Sequence, residues 1–224
     1  MTTDGDEREP HRDVPVIEGG VPRGRLTLGR LSGLDRTGPP PPETLPGAPL
    51  RPWTIPNAIG YVRLALIPVF VGLAWRSDGV DAAAAVIYAV IGWGDYADGI
   101  AARLTGQYSR MGAMLDPLVD RLYIIAGIVV CWNFDLLPRW LLGVLVAREV
   151  LMLLIAPFVL RAGVAVKINW WGRWGVWPAM GGLFFGIAGA RELGAAFLAV
   201  GVALLLMATV EYARSVTAQL RARG

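Results

Sequence analysis

Four aspartates stand out in the sequence because they lie inside segments that are otherwise apolar. Asp95 and Asp98 are three residues apart, and Asp116 and Asp120 are four residues apart, so each pair lies on one face of its own helix. A charged side chain near the middle of a membrane costs at least ~2.5 kcal/mol on insertion scales. Four such carboxylates therefore require cations, and a hairpin of two helices can bring the two pairs together.

The chemistry that these residues suggest is the binding of divalent metal ions and phosphate. Carboxylate ligands favour Mg²⁺ or Mn²⁺ over zinc or copper, and four of them can hold two ions, roughly 3.5 to 4 Å apart in two-metal phosphoryl-transfer sites. Gly99, Ala102 and Gly112 keep side-chain bulk off the same faces, and Arg103 can pair with a phosphate. The alternative is that the aspartates cap helix ends or pair with nearby arginines. Four of them at this spacing favour the metal site.

The composition excludes several other kinds of catalytic site. The single cysteine, Cys131, can form neither an intramolecular disulfide nor a thiolate metal cage. The single histidine, His11, lies in a polar, proline-rich stretch, so the apolar part of the chain has no histidine for a catalytic triad or a metal cluster. The chemistry must therefore depend on carboxylates.

The apolar character of the chain predicts an integral membrane protein. Hydrophobic residues make up 54% of the 224 residues, and the mean hydropathy is +0.48. Six stretches are each near the ~20 residues that cross a bilayer. They are Asn57 to Trp75, Ala82 to Ala102, Leu118 to Phe134, Arg139 to Leu160, Trp174 to Ala190 and Leu193 to Ala213. We therefore expect an all-α fold of six transmembrane helices.

The distribution of basic residues predicts how the chain is oriented. Residues 1–52 are rich in proline and arginine without an apolar period, which predicts a disordered tail before a membrane domain at residues 53–224. Arginines and lysine concentrate before the first span, between the second and third, between the fourth and fifth, and after the sixth. By the positive-inside rule, both termini and the aspartates at the second connection face the cytoplasm. The predicted location is the plasma membrane.

The aspartate region also resembles a known family. The pattern D-x-x-D-G-x-x-A-R-x8-G-x3-D-x3-D of the CDP-alcohol phosphatidyltransferase family is matched without a gap or substitution. The matching residues are Asp95, Asp98, Gly99, Ala102, Arg103, Gly112, Asp116 and Asp120. The resemblance implies a six-helix membrane enzyme with a cytoplasm-facing site, which moves a phosphatidyl group from CDP-diacylglycerol to a hydroxyl acceptor and releases CMP. The resemblance extends over all six predicted spans.

The same resemblance assigns roles to individual residues. The four aspartates would ligate two Mg²⁺ or Mn²⁺ ions, and Asp120 would also be the general base that deprotonates the acceptor. The residues implied to contact CDP-diacylglycerol are Gly99, Ala102, Arg103, Ser109 and Gly112 in the motif, and Asn57 and Arg63 in the segment WTIPNAIGYVR. For Asn57, a helix-capping role is an equal alternative.

The acceptor depends on weaker features. The segments AREVLMLLIAPFVLRAG and VKINWWGRWG resemble the phosphatidylglycerophosphate synthases and, more closely, the cardiolipin synthases of actinobacteria, so glycerol-3-phosphate and phosphatidylglycerol are both candidates. The predicted acceptor-binding residues are Arg148, Arg161, Lys167 and Arg173. For Arg148, pairing within the membrane is an equal alternative, and the positive-inside rule alone would place basic residues at the other three positions.

Two further expectations concern function and partners. A divalent-cation transporter would also have intramembrane aspartates, but it would leave Gly99, Arg103 and Gly112 unexplained. Besides CDP-diacylglycerol, the acceptor and the lipid bilayer, the resemblance implies a homodimer, and no nucleic acid is expected among the partners. A phospholipase D type of cardiolipin synthase is excluded, because that chemistry needs paired histidines.

Overall fold

The structure is a computed structural model that describes Thr44 and residues 47–161 and 170–221, with the side chains of residues 156–173 and 220 excepted. The regular elements in this part of the chain are six α-helices. They are α1 (Ile55–Arg76), α2 (Ala82–Thr105), α3 (Arg110–Asn133), α4 (Arg139–Arg161), α5 (Trp170–Ile187) and α6 (Arg191–Arg221). The prediction of an all-α fold with six helices is confirmed. Of the predicted tail, only Thr44 and residues 47–52 lie within the described part.

Polar side chains define where the first three helices begin. Thr54 caps α1 by accepting from the backbone N–H of Asn57, and Asp81 caps α2 by accepting from the N–H of Ala84 at 2.6 Å. Ser109 caps α3 in the same way. Gly106, which has a φ of 65°, ends α2 in the left-handed conformation that glycine adopts without steric cost. Three residues, 107–109, then separate Gly106 from α3.

Two helices extend well beyond the apolar spans that the sequence predicted. Helix α3 begins at Arg110, eight residues before the predicted start at Leu118. Helix α6 continues to Arg221, past the predicted end at Ala213. In both cases the additional turns carry polar residues, so a search for apolar stretches does not include them. The consequence for α3 is that Gly112 and Asp116 lie within the helix.

Among the described residues, two helical segments have the length and the apolar composition to cross a membrane, namely Ile55–Arg76 and the Arg191–Gln219 part of α6. The Trp174–Ile187 part of α5 is a shorter apolar segment. Helices α2 and α3 each contain two of the aspartates, which lowers their apolar character below that of an isolated span. That all six helices cross the bilayer therefore stays a prediction.

The helices pack in two main groups within the described part. Helix α1 packs against α2 and α3, while α5 and α6 pack closely along their lengths. A Cβ at Gly182 of α5 would lie only 2.6 Å from the backbone nitrogen of Leu198, so glycine is what allows the two backbones to approach. Helices α2 and α3 also contact α5, and the core between them includes Tyr88, Cys131 and Leu183.

Candidate active site

Three of the four aspartates contact one arginine that no local pattern identified as their partner. Arg63 reaches from α1 to both aspartate-bearing helices. Its Nη1 lies 2.9 Å from Asp98 Oδ2 and 3.5 Å from Asp95 Oδ1. Its Nη2 lies 2.7 Å from Asp120 Oδ1. One guanidinium therefore brings together carboxylates from both predicted pairs, which places the two halves of the motif at one site.

The aspartates differ in their access to solvent. Asp98 is buried beside Arg63, which is itself only 2% exposed. The side chains of Asp95 and Asp120 are 55% and 45% exposed. Asp116 is half-buried and lies close enough to interact electrostatically with Asp95, Asp98 and Asp120. The cluster thus has a closed end at Asp98 and an open side at Asp95 and Asp120.

The charges and free oxygens of this cluster fit divalent cations. Arg63 supplies one positive charge against four negative ones, and it contacts a single oxygen of each of its three partners. No described residue donates a hydrogen bond to the second oxygen of Asp95, Asp98 or Asp120, or to either oxygen of Asp116. Five carboxylate oxygens therefore remain as hard ligands of the kind that Mg²⁺ and Mn²⁺ take.

The same arginine explains why the carboxylates do not form a closed cage by themselves. In the described part of the chain, no three acidic, histidine or cysteine side chains are arranged to hold a metal ion. The guanidinium lies between the carboxylates of Asp95, Asp98 and Asp120. The alternative interpretation was pairing with nearby arginines, and three of the aspartates contact instead Arg63, which is remote in sequence. Helix capping is not their role, because Asp81 and Ser109 cap α2 and α3.

Arg103 and Gly99 form a second feature of the site on α2. A Cβ at Gly99 would lie 3.4 Å from Arg103 Nη1 and 3.5 Å from Nη2, so the guanidinium folds back along the helix over the glycine. Arg103 Nε is buried and has no hydrogen-bond partner among the described residues. A buried donor without a partner is costly, and a phosphate oxygen would satisfy it. Ala102 is half-buried on the same helix.

Asn57, Ser109 and Gly112, which the resemblance implies to contact CDP-diacylglycerol, contact one another. The Ser109 hydroxyl donates to Asn57 Oδ1 at 3.0 Å, and Asn57 Nδ2 donates to the carbonyls of Arg51 and Pro52. A Cβ at Gly112 would lie 2.7 Å from Asn57 Oδ1, so the space beside this glycine is filled by Asn57. These hydrogen bonds connect the segment before α1 and the first turn of α1 to the start of α3. The expected cap of α1 at Asn57 is corrected to Thr54.

Arg148 is part of an ion-pair network among three helices. Glu149 on α4 pairs with Arg148 and with Arg121 of α3. Arg148 Nε also donates to Thr209 Oγ1 of α6 at 3.3 Å. The alternative that Arg148 pairs with other polar side chains is therefore realised, and the network joins α3, directly after Asp120, to α4 and α6.

The three remaining residues predicted to bind the acceptor lie outside what the structure describes. Lys167 belongs to residues 162–169, and the side chains of Arg161 and Arg173 are among those excepted. Their role stays a prediction.

Sequence reasoning missed the residues that position Arg63. The carbonyl of Ile91 accepts from Arg63 Nε at 3.0 Å. A Cβ at Gly94 would lie 2.6 Å from Arg63 Cδ, so glycine leaves the passage through which the side chain reaches the aspartates. The local signal was a glycine directly before Asp95 in a helical segment, where glycine is otherwise unfavourable.

Comparison with known proteins identifies the family to which this arrangement belongs. The profile of the CDP-alcohol phosphatidyltransferases matches residues 53–217. The chain belongs to the CDP-alcohol phosphatidyltransferase family. This membership confirms the predicted enzyme class, a membrane-bound phosphatidyltransferase of phospholipid synthesis, and it does not support the alternative of a cation transporter.

Three relatives show where the chain lies within this phosphatidyltransferase family. It is 38% identical over 129 residues to the cardiolipin synthase (CMP-forming) of Streptomyces coelicolor, which covers 55% of this chain and 60% of that protein. It is 34% identical over 183 residues to a Mycobacterium tuberculosis protein provisionally named a cardiolipin synthase, with 76% of this chain and 86% of that protein covered. It is 29% identical over 138 residues to the CDP-diacylglycerol–glycerol-3-phosphate 3-phosphatidyltransferase of Bacillus subtilis, with 56% and 72% covered.

Proposed function

We propose that this phosphatidyltransferase transfers the phosphatidyl group of CDP-diacylglycerol to phosphatidylglycerol, which yields cardiolipin and CMP. The observation that carries the proposal is the gathering of Asp95, Asp98 and Asp120 around Arg63, with Asp116 close by, in a chain of this family. Carboxylates at such a density inside a membrane carry a high desolvation cost. They are therefore expected only where a function requires them.

The cofactors that we propose are two Mg²⁺ or Mn²⁺ ions, held by Asp95, Asp98, Asp116 and Asp120. Support comes from the donor set, which is all carboxylate, and from the five oxygens to which no described residue donates a hydrogen bond. When bound, the ions would neutralise negative charge on the diphosphate and on the departing CMP.

Asp120 is the proposed general base. Arg63 holds its Oδ1, whereas Oδ2 accepts no hydrogen bond from a described residue, and the side chain is 45% exposed. The free oxygen can take the proton of the acceptor hydroxyl. The acceptor oxygen then forms a bond to the phosphorus that carries the diacylglycerol, and the bond from that phosphorus to the bridging oxygen breaks, so that CMP leaves with the electron pair.

Arg103 is the proposed contact for the diphosphate of the donor. Its guanidinium lies over Gly99, and its buried Nε has no partner in the described part of the chain. A guanidinium pairs with phosphate oxygens through two parallel hydrogen bonds, which would orient as well as attract the donor. Gly99 then serves by allowing the arginine to lie flat against the helix.

Phosphatidylglycerol is favoured as acceptor because the relatives from Streptomyces coelicolor and Mycobacterium tuberculosis, which are 38% and 34% identical to the chain, are named as cardiolipin synthases. Glycerol-3-phosphate is the second candidate, since the Bacillus subtilis relative is named for that acceptor. In both acceptors a phosphate is attached to the same glycerol that carries the reacting hydroxyl. Arg161, Lys167 and Arg173 are the proposed contacts for that phosphate.

We further propose that all six helices cross the plasma membrane, with both termini and the aspartates on the cytoplasmic side. The support is the position of Arg103 and Arg110 around the connection between α2 and α3, together with the positive-inside rule. The lipid bilayer is then a partner, and a homodimer is proposed from the resemblance to the family alone.

Identification of the lipid product tests the acceptor. The purified full chain is incubated with Mn²⁺, labelled CDP-diacylglycerol and, in separate reactions, phosphatidylglycerol, glycerol-3-phosphate or inositol phosphate. We expect CMP and labelled cardiolipin with phosphatidylglycerol. Labelled phosphatidylglycerophosphate, formed with glycerol-3-phosphate instead, would establish the second candidate, and no release of CMP with any acceptor would contradict the transferase.

A further inference from the structure

Arg63 is unusual among the basic residues of the site because it is buried and contacted on all three nitrogens. Nε donates to the carbonyl of Ile91, Nη1 donates to Asp98, and Nη2 donates to Asp120. The residue is 2% exposed. A buried guanidinium with these partners is held in one position, because leaving any of them would expose an unpaired charge or donor to a poorly solvated environment.

The surrounding backbone fixes the path of the side chain as well as its end. The Cγ and Cδ atoms of Arg63 pass beside Gly94, where a Cβ would lie 2.7 and 2.6 Å from them. Ile91 and Gly94 belong to α2, four residues and one residue before Asp95, whereas Arg63 belongs to α1. The position of the guanidinium is therefore set by the packing of α1 on α2.

Arg63 and Arg103 differ in their partners, which distinguishes an arginine that pairs with carboxylates from one that is available to an anionic substrate. Arg103 has a buried Nε without a described partner, and no ion pair joins it to a described carboxylate. Arg63 directs its nitrogens to carboxylates and a carbonyl. Of the two, Arg103 is the one with a donor available to an anionic substrate.

We propose that Arg63 is a resident counter-ion and positioning residue of the metal site, and not a contact for the nucleotide. It holds one oxygen of Asp98 and one of Asp120 and leaves the other oxygen of each without a protein donor among the described residues, and its charge keeps the carboxylates together before metal binds. The role rests on the proposed function, since it presupposes that the aspartates hold divalent ions.

The test measures the apparent melting temperature of the purified full chain in detergent, first with a chelator and then with Mn²⁺ alone. In Arg63→Gln, the four carboxylates have lost their counter-ion, so the chelated protein should melt roughly 5 to 10 °C lower than the wild type. Added Mn²⁺ should recover most of that loss. The stabilisation by metal alone is therefore larger in the variant than in the wild type.

Two variants provide matched comparisons. Arg63→Lys keeps the charge but not the forked geometry, and it should melt closer to the wild type than Arg63→Gln does in chelator. Arg103→Gln removes the neighbouring arginine, and its stabilisation by Mn²⁺ alone should equal that of the wild type. With Mn²⁺ present, CDP should stabilise Arg63→Gln but not Arg103→Gln.

The outcomes separate this role from the proposed function. If no divalent ion stabilises the wild type, the metal site fails, and the role of Arg63 fails with it. If Mn²⁺ stabilises the wild type and Arg63→Gln equally, the metal site stands and the counter-ion role is overturned. Should Arg63→Gln not fold, the double variant Arg63→Gln, Asp120→Asn should fold better in chelator, since it has one negative charge fewer. No improvement in the double variant would also overturn the counter-ion role.

Discussion

The group formed by α1, α2 and α3 and the pair formed by α5 and α6 are held together by different physical interactions. In the first, buried polar side chains cross between helices, namely Arg63 to the aspartates and Asn57 to Ser109. In the second, glycine allows the backbones of two apolar helices to pack closely. A Cβ at Gly182 would lie only 2.6 Å from the backbone nitrogen of Leu198. Close packing of small residues is the usual way in which membrane helices associate.

This difference indicates that the α5 and α6 pair acts as a scaffold and that the group of α1, α2 and α3 contains the site. Close apolar packing provides affinity between helices at no cost in buried charge, whereas each charged group in a membrane protein carries a desolvation cost. Among the described residues, ion pairs that join different helices occur around Arg63 and in the network of Glu149 with Arg121 and Arg148. Substitutions that disturb the polar contacts of the first group should therefore change catalysis, and substitutions in the α5 and α6 pair should change stability alone.

The largest effect is expected from Asp120→Asn. Removal of the general base should lower kcat about 100- to 10,000-fold, because that is the usual contribution of such a base. The measurement is CMP release under saturating substrates. Asp135→Asn is the matched control, since the Asp135 side chain is 65% exposed and its partner among the described residues is Arg139 on the surface. Equal rates for the two variants would contradict the role of Asp120.

A smaller loss of activity is expected from Gly94→Ala. The new methyl group would lie 2.6 Å from Arg63 Cδ and must displace the side chain. A displacement of about 1 Å in a supporting residue can cost on the order of 100-fold in rate, so we expect a fall of roughly 10- to 100-fold. Activity equal to the wild type would show that the position of Arg63 does not matter to catalysis.

The same substitution in the other group, Gly182→Ala, should have the smallest effect on catalysis. The methyl group would press on the backbone of Leu198, and overpacking of this kind costs typically 1 to 3 kcal/mol of stability. We expect a lower melting temperature with unchanged kcat per folded molecule. Gly72→Ala is the control, because nothing lies within 4 Å of its new Cβ, and it should be neutral or slightly stabilising. A large fall in kcat for Gly182→Ala would remove the distinction between the two groups.

The sequence predicted the parts of the site that depend on local spacing. The intervals between Asp95 and Asp98 and between Asp116 and Asp120 place each pair on one helix face, and the short connection between α2 and α3 brings the faces together. The number and type of helices followed from apolar length. The polar first turns of α3 and the polar last turns of α6 could not be predicted from apolar length, because helix caps and polar turns extend a helix beyond the apolar stretch.

The partners of the predicted residues could not be obtained in this way. Arg63 and Asp120 are 57 residues apart, and Asn57 and Ser109 are 52 residues apart, so only the packing of α1 against α2 and α3 decides these contacts. The sequence contains several arginines near the motif, among them Arg103, Arg110 and Arg121. No spacing rule selects the remote Arg63 over these neighbours.

Direct titration of the nucleotide-free protein with Mn²⁺, followed by the electron paramagnetic resonance signal of the free ion, tests the central claim that the clustered carboxylates hold metal. The wild type and Asp135→Asn should deplete free Mn²⁺ in a saturable manner. The double variant Asp98→Asn, Asp116→Asn should not, because it lacks two of the four proposed ligands. Saturable depletion by the double variant equal to that of the wild type would contradict the account.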